Sequence, residues 1–212
     1  MKFTAATMKV VFIIGVFLTV FLAVQIFGFF SQRGIQKYPY KTVEVYDDFE
    51  VREYEPSLFT SVKLTASDYK TASSQGFSML AGYIFGGNES EEKIAMTSPV
   101  SMSIGDSVTI MFMVPKEMKK EDLPKPNQPN IVFKEEPAKT MAAISFGGWA
   151  NDSKIMFFKD KLTITLERQG ITHQNRFYFF GYNAPYEVFN RLNEVLVEIA
   201  VSYTHLTLPT IY

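Results

Sequence analysis

The feature that most limits the fold of this chain is an internal repeat of one strand-and-helix pattern. The pair Glu55-Pro56 recurs as Glu136-Pro137, 81 positions later (137 minus 56), and each pair interrupts a segment with strand-like alternation. A helical pattern follows each pair, and a further apolar strand pattern follows each helix. Strands before and after each helix predict an α+β domain with a mostly antiparallel sheet in two similar halves.

In the first half, residues 43–64 read as three strands, with a turn at Asp47-Asp48. A helix is predicted over about 68–85, capped by Ser67 and ended by Gly86-Gly87, because glycine tolerates a left-handed C-cap. Its predicted core face consists of Tyr69, Ala72, Phe77, Leu80 and Ile84. Strands are expected at 100–104 and 108–115.

The second half repeats this order after a charged, proline-rich surface crossover at 116–130. Residues 131–148 predict strands, and a helix is expected over about 152–169, with Gly170 as its stop. Its inward face is predicted to contain Ile155, Phe158, Leu162 and Leu166. A strand is expected within 176–185, and a third helix over about 186–200 closes the domain.

The N-terminal residues 10–30 form a separate apolar run without charges, in which Thr19 and Gln25 are polar. About 20 apolar residues suffice to cross a bilayer as a helix, whereas a cleavable signal usually has an apolar region of about 7–15 residues. We therefore favour an uncleaved transmembrane signal anchor over a cleaved signal. The weak charge bias around the run leaves orientation to the simplest export arrangement, with the domain on the extracytoplasmic (periplasmic) side.

The resulting division of the chain has five parts. They are an N-terminal tail (1–9), the transmembrane anchor (10–30), a tether (31–42), the folded domain (43–200) and a suspected non-native tail (201–212). The last segment resembles translated sequencing-adapter read-through, so it and His205 are left out of fold reasoning.

Composition excludes several classes of function. The net charge of −1 provides no basic field for nucleic acid, and no nucleic-acid partner is expected. The chain has no cysteine and two histidines, which removes thiolate chemistry and histidine-rich metal sites. Thr97 and Ser98 lack the surroundings of a catalytic serine, and Gly86-Gly87 lacks the lysine of a phosphate-binding loop. We expect no catalytic residue and no metal site built from protein ligands.

Three segments carry a family resemblance: FEVREYEP (49–56), GFSMLAGYIFGGNES (76–90) and KIAMTSPV (93–100). With DLPKPNQP (122–129) and GGWANDSKI (147–155), they resemble the SOUL haem-binding protein family over nearly the whole predicted domain. The resemblance implies a pseudo-two-fold distorted antiparallel β-barrel of two four-stranded halves with two main helices. It also implies binding of haem or another tetrapyrrole in an apolar cleft.

The resemblance directs attention to residues that could contact a flat apolar ligand or its carboxylates. The candidates are Met79, Tyr83, Met96, Met102, Met111, Trp149, Arg52, Lys63 and Arg176. Methionine suits adaptable apolar surfaces, Trp149 could stack on a ring, and the basic residues could pair with propionates. Each also has a structural reading as core filler or solvated charge. No clear axial ligand for iron is present: the first half has no histidine, and His173 reads as a loop residue.

Three functions are therefore left open by the sequence. The leading hypothesis is a membrane-anchored, non-catalytic tetrapyrrole-binding protein whose oligomeric state is open. The alternatives are a protein- or lipid-interaction module without haem binding, and an enzyme that processes a tetrapyrrole. In each case, alternation along 100–104 is expected to turn Val100, Met102 and Ile104 toward the first helix.

Overall fold

The structure is a computed structural model that describes residues 5–31, 34–65, 68–105 and 107–200. The helices are α1 (Ala5–Ser31), α2 (Tyr69–Ile84) and α3 (Asp152–Arg168), with a short 3-10 turn at Lys120–Asp122 in the crossover. The first-half strands are β1 (Gln36–Lys37), β2 (Tyr40–Val45), β3 (Glu50–Tyr54), β4 (Ser57–Leu64), β5 (Thr97–Ser98), β6 (Val100–Ile104) and β7 (Val108–Met113). The second-half strands are β8 (Ile131–Glu136), β9 (Lys139–Gly147), β10 (His173–Gly181) and β11 (Leu192–Ile199).

The main sheet preserves the internal repeat in the order of its strands. Among the described residues it has nine strands, ordered β2-β3-β9-β11-β10-β6-β7-β4-β8, and every neighbouring pair is antiparallel. In the repeat, β3, β4, β6 and β7 correspond to β8, β9, β10 and β11. Replacing each of these eight strands by its counterpart gives the same strand order read from the opposite end of the sheet. The pseudo-two-fold axis therefore passes between β6 and β10, where Met102 pairs with Phe179. The predicted α+β fold with a curled antiparallel sheet of two four-stranded halves is confirmed.

The two halves exchange the strands that begin the repeated unit, β3 in the first half and β8 in the second. β3 pairs with β9 of the second half, and β8 pairs with β4 of the first half. Each half therefore completes its sheet only with a strand from the other, so backbone hydrogen bonds as well as side-chain packing join the halves.

The sheet has a separate apolar core on each face. α2 covers β4 and β7, and α3 covers β9 and β11, forming a core that includes Val62, Leu80, Leu162, Leu166 and Val195. The opposite face holds a second core, rich in aromatic residues and methionine, which consists of Tyr38, Tyr54, Phe59, Met111, Met113, Met141, Ala143, Tyr178, Phe180 and Leu196. Because both faces are covered, the central strands are apolar on both sides.

This two-sided burial explains why the third predicted helix is wrong. Residues 192–199 form β11, which lies between β9 and β10. Val195 and Val197 join the core under the helices, whereas Leu196 joins the opposite core. A strand with apolar residues on both faces has a continuous apolar run, and such a run is hard to distinguish from a buried helix by periodicity.

The other elements agree with the sequence patterns, with changes at their ends. The N-cap of α2 is Asp68, whose side chain accepts a hydrogen bond from the Thr71 N–H, and the predicted cap Ser67 lies outside the described residues. The N-cap of α3 is Asn151, and Gly170 follows α3 with a φ of +68°. The suspected tail at 201–212 also lies outside the described residues.

The segment that connects α1 to the domain contributes to the fold. β1 pairs in parallel with β5, and Tyr38 is buried in the second core. β1 and Tyr38 belong to the segment 31–42 that was predicted as a tether, so strand pairing with the domain starts at Gln36. α1 itself is long and apolar enough over residues 7–28 to cross a membrane, and its side chains are mostly exposed.

Candidate functional site

A cleft of about 820 Å³ lies between α2 and the sheet, at the junction of the two halves. Its floor comes from β6, β7 and β10, and its far wall comes from the loop around Trp149 and the loop between β10 and β11. The cleft-lining residues are Tyr69, Lys70, Ser73, Ser74, Phe77, Ser78, Ala81, Gly82, Phe85, Val100, Met102, Ile110, Trp149, Ala150, Phe179, Gly181, Asn183, Pro185, Arg191 and Asn193.

Small side chains on α2 create the width of the cleft. Ser74, Ser78 and Gly82 follow Lys70 at four-residue intervals, so these three small residues form one stripe with it along the helix face toward the cleft. A Cβ atom placed on Gly82 would have no heavy atom within 4 Å outside the helix. Larger residues along this stripe would project into the space that the small ones leave open.

The floor of the cleft is apolar and firmly packed. Met102, Ile110 and Phe179 are almost completely buried and belong to the core beneath α2. The Tyr69 ring meets Phe179 edge-on with 5.2 Å between centroids. As predicted, β6 turns Met102 toward the helix at 69–84, which is α2, because alternate residues of a strand share a face.

The rim of the cleft carries an aromatic ring under a cation. Trp149 is 55% exposed, and the Arg191 guanidinium carbon lies 4.0 Å from the centroid of its ring. Such stacking is favourable for arginine on an indole face. The Arg191 Nη1 donates to the Ala184 carbonyl at 3.0 Å and also to the Glu187 carbonyl. Its Nε is buried and has no hydrogen-bond partner among the described residues.

Burial also changes the electrostatics of the rim. Desolvation lowers the pKa of Arg191, and the nearby Tyr69 and Glu187 oppose this effect. The guanidinium remains charged at any physiological pH, because the ordinary pKa of arginine is above 12. Lys70 provides a second positive charge on the α2 side. The cleft therefore combines an apolar floor with cations at its edge.

Hydrogen bonds between side chains and backbone groups fix the loop that holds Trp149. The Asn193 side chain donates to the Gly148 carbonyl at 2.8 Å, and Asp152 accepts from the Tyr69 N–H at 2.8 Å. The second contact joins the first turn of α2 to the first turn of α3. These contacts position the cleft walls from both halves of the repeat.

Of the residues proposed from the sequence, Met102 and Trp149 line this cleft. Met79 and Met96 pack at the margin of the core under α2, and Tyr83 is buried with its hydroxyl donating to the Pro124 carbonyl at 2.9 Å.

The remaining candidates lie elsewhere. Met111 belongs to the core on the opposite face of the sheet. Lys63 is exposed on β4. Arg176 is exposed over the ring of Tyr178, 5.3 Å from its centroid.

Arg52 has a structural environment on the opposite face of the sheet. Its guanidinium donates to both carboxylate oxygens of Glu194, at 3.0 and 2.9 Å, and both side chains are buried. Tyr182 and Ser145 also donate to Glu194, at 2.6 and 2.9 Å. Burial and the Glu194 charge raise the pKa of Tyr182 far above its usual range. This network joins β3 to β11, so it links the two halves of the domain.

A small cavity lies in the same opposite-face core. It has a volume of about 10 Å³ and is lined by Tyr38, Ser101 and Tyr178 among others. This is close to the space that one water molecule requires. A ligand larger than a water molecule therefore cannot occupy this cavity, and the cleft on the helix side is the place with room for one.

Sequence reasoning missed Arg191 and most of the α2 face. The four-residue spacing from Lys70 to Gly82 was a usable signal, because it places small residues on one side of a helix. Arg191 had no such signal, because a long loop brings it to Trp149 across the fold. Within the parts of the chain that the structure describes, no group of three or more histidine or acidic side chains is arranged to hold a metal ion.

Comparisons with known proteins agree with this architecture. A family model described as "SOUL heme-binding protein" matches residues 35–198. Heme-binding protein 2 from Mus musculus is 31% identical over 156 residues, which cover 69% of this chain and 76% of the mouse protein. Heme-binding protein 2 from Homo sapiens is 30% identical over 156 residues, which cover 69% of this chain and 76% of the human protein.

Solved structures share the fold at low sequence identity. A crystal structure of the EcmrR C-terminal domain superposes with a TM-score of 0.58 and 14% identity. The match covers 77% of this chain and 99% of that domain. At this identity the similarity concerns the fold alone.

Proposed function

Because the chain belongs to the SOUL haem-binding protein family, we propose that it is a membrane-anchored, non-catalytic protein that binds haem or another tetrapyrrole. The binding site is the cleft between α2 and the sheet. The observation that carries this proposal is the combination, in one cleft, of a buried apolar floor with the Trp149–Arg191 pair at its rim.

The dimensions and lining of the cleft fit a tetrapyrrole. Pockets for small molecules and cofactors typically occupy about 300–1,000 Å³ and are mostly apolar with a few polar groups. The cleft has about 820 Å³. Met102 and Phe179 offer polarisable and aromatic surface to a flat ring, and the small α2 residues leave room for its width.

The rim supplies the charge complement for carboxylates. The Arg191 guanidinium lies over the Trp149 ring in the cleft lining, and Lys70 provides an ammonium on the α2 wall. Hydrogen bonds between ionised partners are stronger than neutral ones, so two propionates would be held at the edge while the ring enters the apolar part. When bound, haem would supply its iron, and the protein residues would bind and orient the macrocycle.

Apolar contact and the two cations account for binding in this proposal, without a required axial ligand. His173 begins β10, and its ring packs against Phe177 outside the cleft. We therefore expect haem and metal-free protoporphyrin to bind with dissociation constants within about tenfold of each other, a difference of about 1.4 kcal/mol.

Membrane anchoring is the second part of the proposal. The apolar span at 7–28 supports it, because a single helix of this length crosses the hydrocarbon core. The placement of the domain on the extracytoplasmic side stays a prediction from the sequence.

The test is a titration of the full chain in lipid nanodiscs with haem, protoporphyrin and protoporphyrin dimethyl ester. Trp149 is the single tryptophan of the chain and lines the cleft, so its quenching reports occupancy directly. We expect saturable quenching and a shifted Soret band with haem at micromolar concentration, and weaker binding of the ester. Absence of both signals would refute tetrapyrrole binding, and equal affinity for the ester would refute the role of the rim cations.

A further inference from the structure

The loop between β10 and β11 borders the cleft and exposes apolar side chains to its surroundings. Asn183, Pro185 and Arg191 of this loop line the cleft. Val188 and Phe189 in the same loop are 41% and 61% exposed. We refer to residues 183–191 as the rim loop.

The polar groups of the rim loop are turned inward. The Asn183 side chain donates to the Glu187 carboxylate at 2.7 Å, and Glu187 is almost completely buried. Arg191 donates to two backbone carbonyls of the same loop, those of Ala184 and Glu187. The loop therefore directs Asn183, Glu187 and the Arg191 Nη1 to partners within itself and presents Val188 and Phe189 outside, unlike an ordinary solvated loop.

The rim loop contacts the C-terminal part of α1. Gln25 Nε2 donates to the Tyr186 carbonyl at 2.9 Å, and its Oε1 accepts from the Val188 N–H at 3.0 Å. The Phe21 and Phe189 rings meet edge-on with 6.4 Å between centroids. These contacts explain a polar residue within an otherwise apolar run, because Gln25 satisfies two loop backbone groups that lipid could not hydrogen-bond.

The contact has a defined depth relative to the end of the apolar span. The span ends at Gly28, where the rim loop comes close enough that a Cβ atom would lie 3.1 Å from Glu187 Cγ. Phe21 precedes Gly28 by seven residues, which is roughly 10 Å along a helix that rises about 1.5 Å per residue. With residues 7–28 across a bilayer, Phe189 would lie at the level where interfacial segments bury their apolar side chains, about 5–10 Å into the membrane boundary.

We propose that the rim loop lies in the lipid interface beside α1, and that the cleft consequently takes its ligand from the bilayer rather than from water. The inference rests on the proposed anchor and ligand. Porphyrins with an apolar ring and charged edges partition into this interfacial layer. The ring can pass from the lipid to the cleft floor while Arg191 and Lys70 receive its carboxylates at the level of the headgroups.

The depth of the rim loop is measurable without any ligand. The chain has no cysteine, so Phe189→Cys and Val132→Cys each provide one labelling site for an environment-sensitive fluorophore. Val132 is 55% exposed on β8, an edge strand separated from β10 by β6, β7 and β4 in the sheet order, and serves as the matched control. In phosphatidylcholine vesicles containing a lipid spin-labelled high on its acyl chain, we expect several-fold stronger quenching at position 189 than at 132. Equal quenching at both positions would overturn the interfacial placement.

The route of the ligand is measured by kinetics in nanodiscs. Protoporphyrin is placed either in the discs that contain the protein or in separate protein-free discs, and Trp149 quenching is followed. Loading from the bilayer makes the same-disc reaction on the order of tenfold faster or more and independent of disc concentration, because the ligand is held at high effective concentration. Equal rates in the two arrangements would show that the ligand passes through water, and would overturn the proposed route.

Failure of tetrapyrrole binding and failure of the bilayer route give different results. If the cleft binds no tetrapyrrole, final quenching is absent in both arrangements, whereas the spin-label result is unaffected. If tetrapyrrole binds but loads from water, final quenching is the same and the rates coincide.

Discussion

A larger side chain on α2 that projects into the cleft tests the assignment of the binding site most directly. Gly82→Leu is the substitution that provides it. Gly82 is an exposed helical residue that lines the cleft, and a Cβ atom there contacts nothing within 4 Å. The leucine side chain would therefore enter the open space without displacing protein atoms. The Gly82 carbonyl still accepts from the Gly87 N–H at 2.8 Å, so the end of α2 is preserved.

The expected effects on stability and binding have opposite signs. Replacing a glycine in the last turn of α2 by leucine favours the helix by up to about 0.8–1 kcal/mol, the value for a helix interior. For a domain of this size that raises Tm by about 2–4 °C. A leucine-sized volume taken from the ligand removes apolar contact worth about 1.5–3 kcal/mol. The dissociation constant for haem should therefore rise about tenfold to a hundredfold.

The assay combines thermal unfolding with haem titration of the full chain in nanodiscs. Gln75→Leu is the matched control, because Gln75 is exposed on the same helix and lies outside the cleft lining. The control should retain the affinity of the unmodified chain. A Gly82→Leu variant with unchanged affinity would refute the location of the site, and one with lowered Tm would refute the open space at this position.

Three further changes test the structure away from the ligand. Arg52→Met leaves the buried Glu194 carboxylate without its cation, and should lower the free energy of unfolding by about 3–5 kcal/mol in thermal or urea unfolding; a loss below about 1 kcal/mol would indicate a solvated pair. Gly76→Ala would place a Cβ atom 2.3 Å from Ile110 Cγ1, so it should destabilise the domain by about 1–3 kcal/mol despite better helix propensity, and a rise in Tm would contradict the close packing of α2. Burial and the Glu92 charge raise the pKa of Tyr83 to about 12. The unfolded chain therefore releases this proton first, near its ordinary pKa of about 10, so the stability contributed by Tyr83 is complete below that pH and is lost as pH rises toward the folded pKa. Urea unfolding of Tyr83→Phe between neutral and alkaline pH should show a shallower decline, and an unchanged slope would contradict the burial of the phenol.

The repeat and its consequences were predictable because they depend on local patterns. Alternation, helix stops and the recurring Glu-Pro pair specify the order of elements in each half, and Gly170 ends α3 at the predicted place. The family resemblance then identified the curled sheet. Local patterns failed at residues 192–199, since burial on both faces removes the alternation that identifies a strand.

The binding surface was less predictable than the fold. Met102 and Trp149 came from composition and position, and they line the cleft. The basic candidates Arg52, Lys63 and Arg176 were chosen by charge alone, and charge does not reveal which side of a sheet a residue faces or which partner it meets. Arg52 illustrates this limit, because its partner Glu194 lies 142 positions away in sequence.

The exchange of first strands has a consequence for synthesis of the chain. Glu50 of β3 pairs with Ala143 of β9, so 93 residues (143 minus 50) must be added before that pairing forms. At about 5–20 residues per second, β3 waits roughly 5–20 s at the ribosome with one edge unpaired. The two similar halves are therefore not successive folding units, and a chain stopped after the first half would keep open strand edges of the kind that promote aggregation.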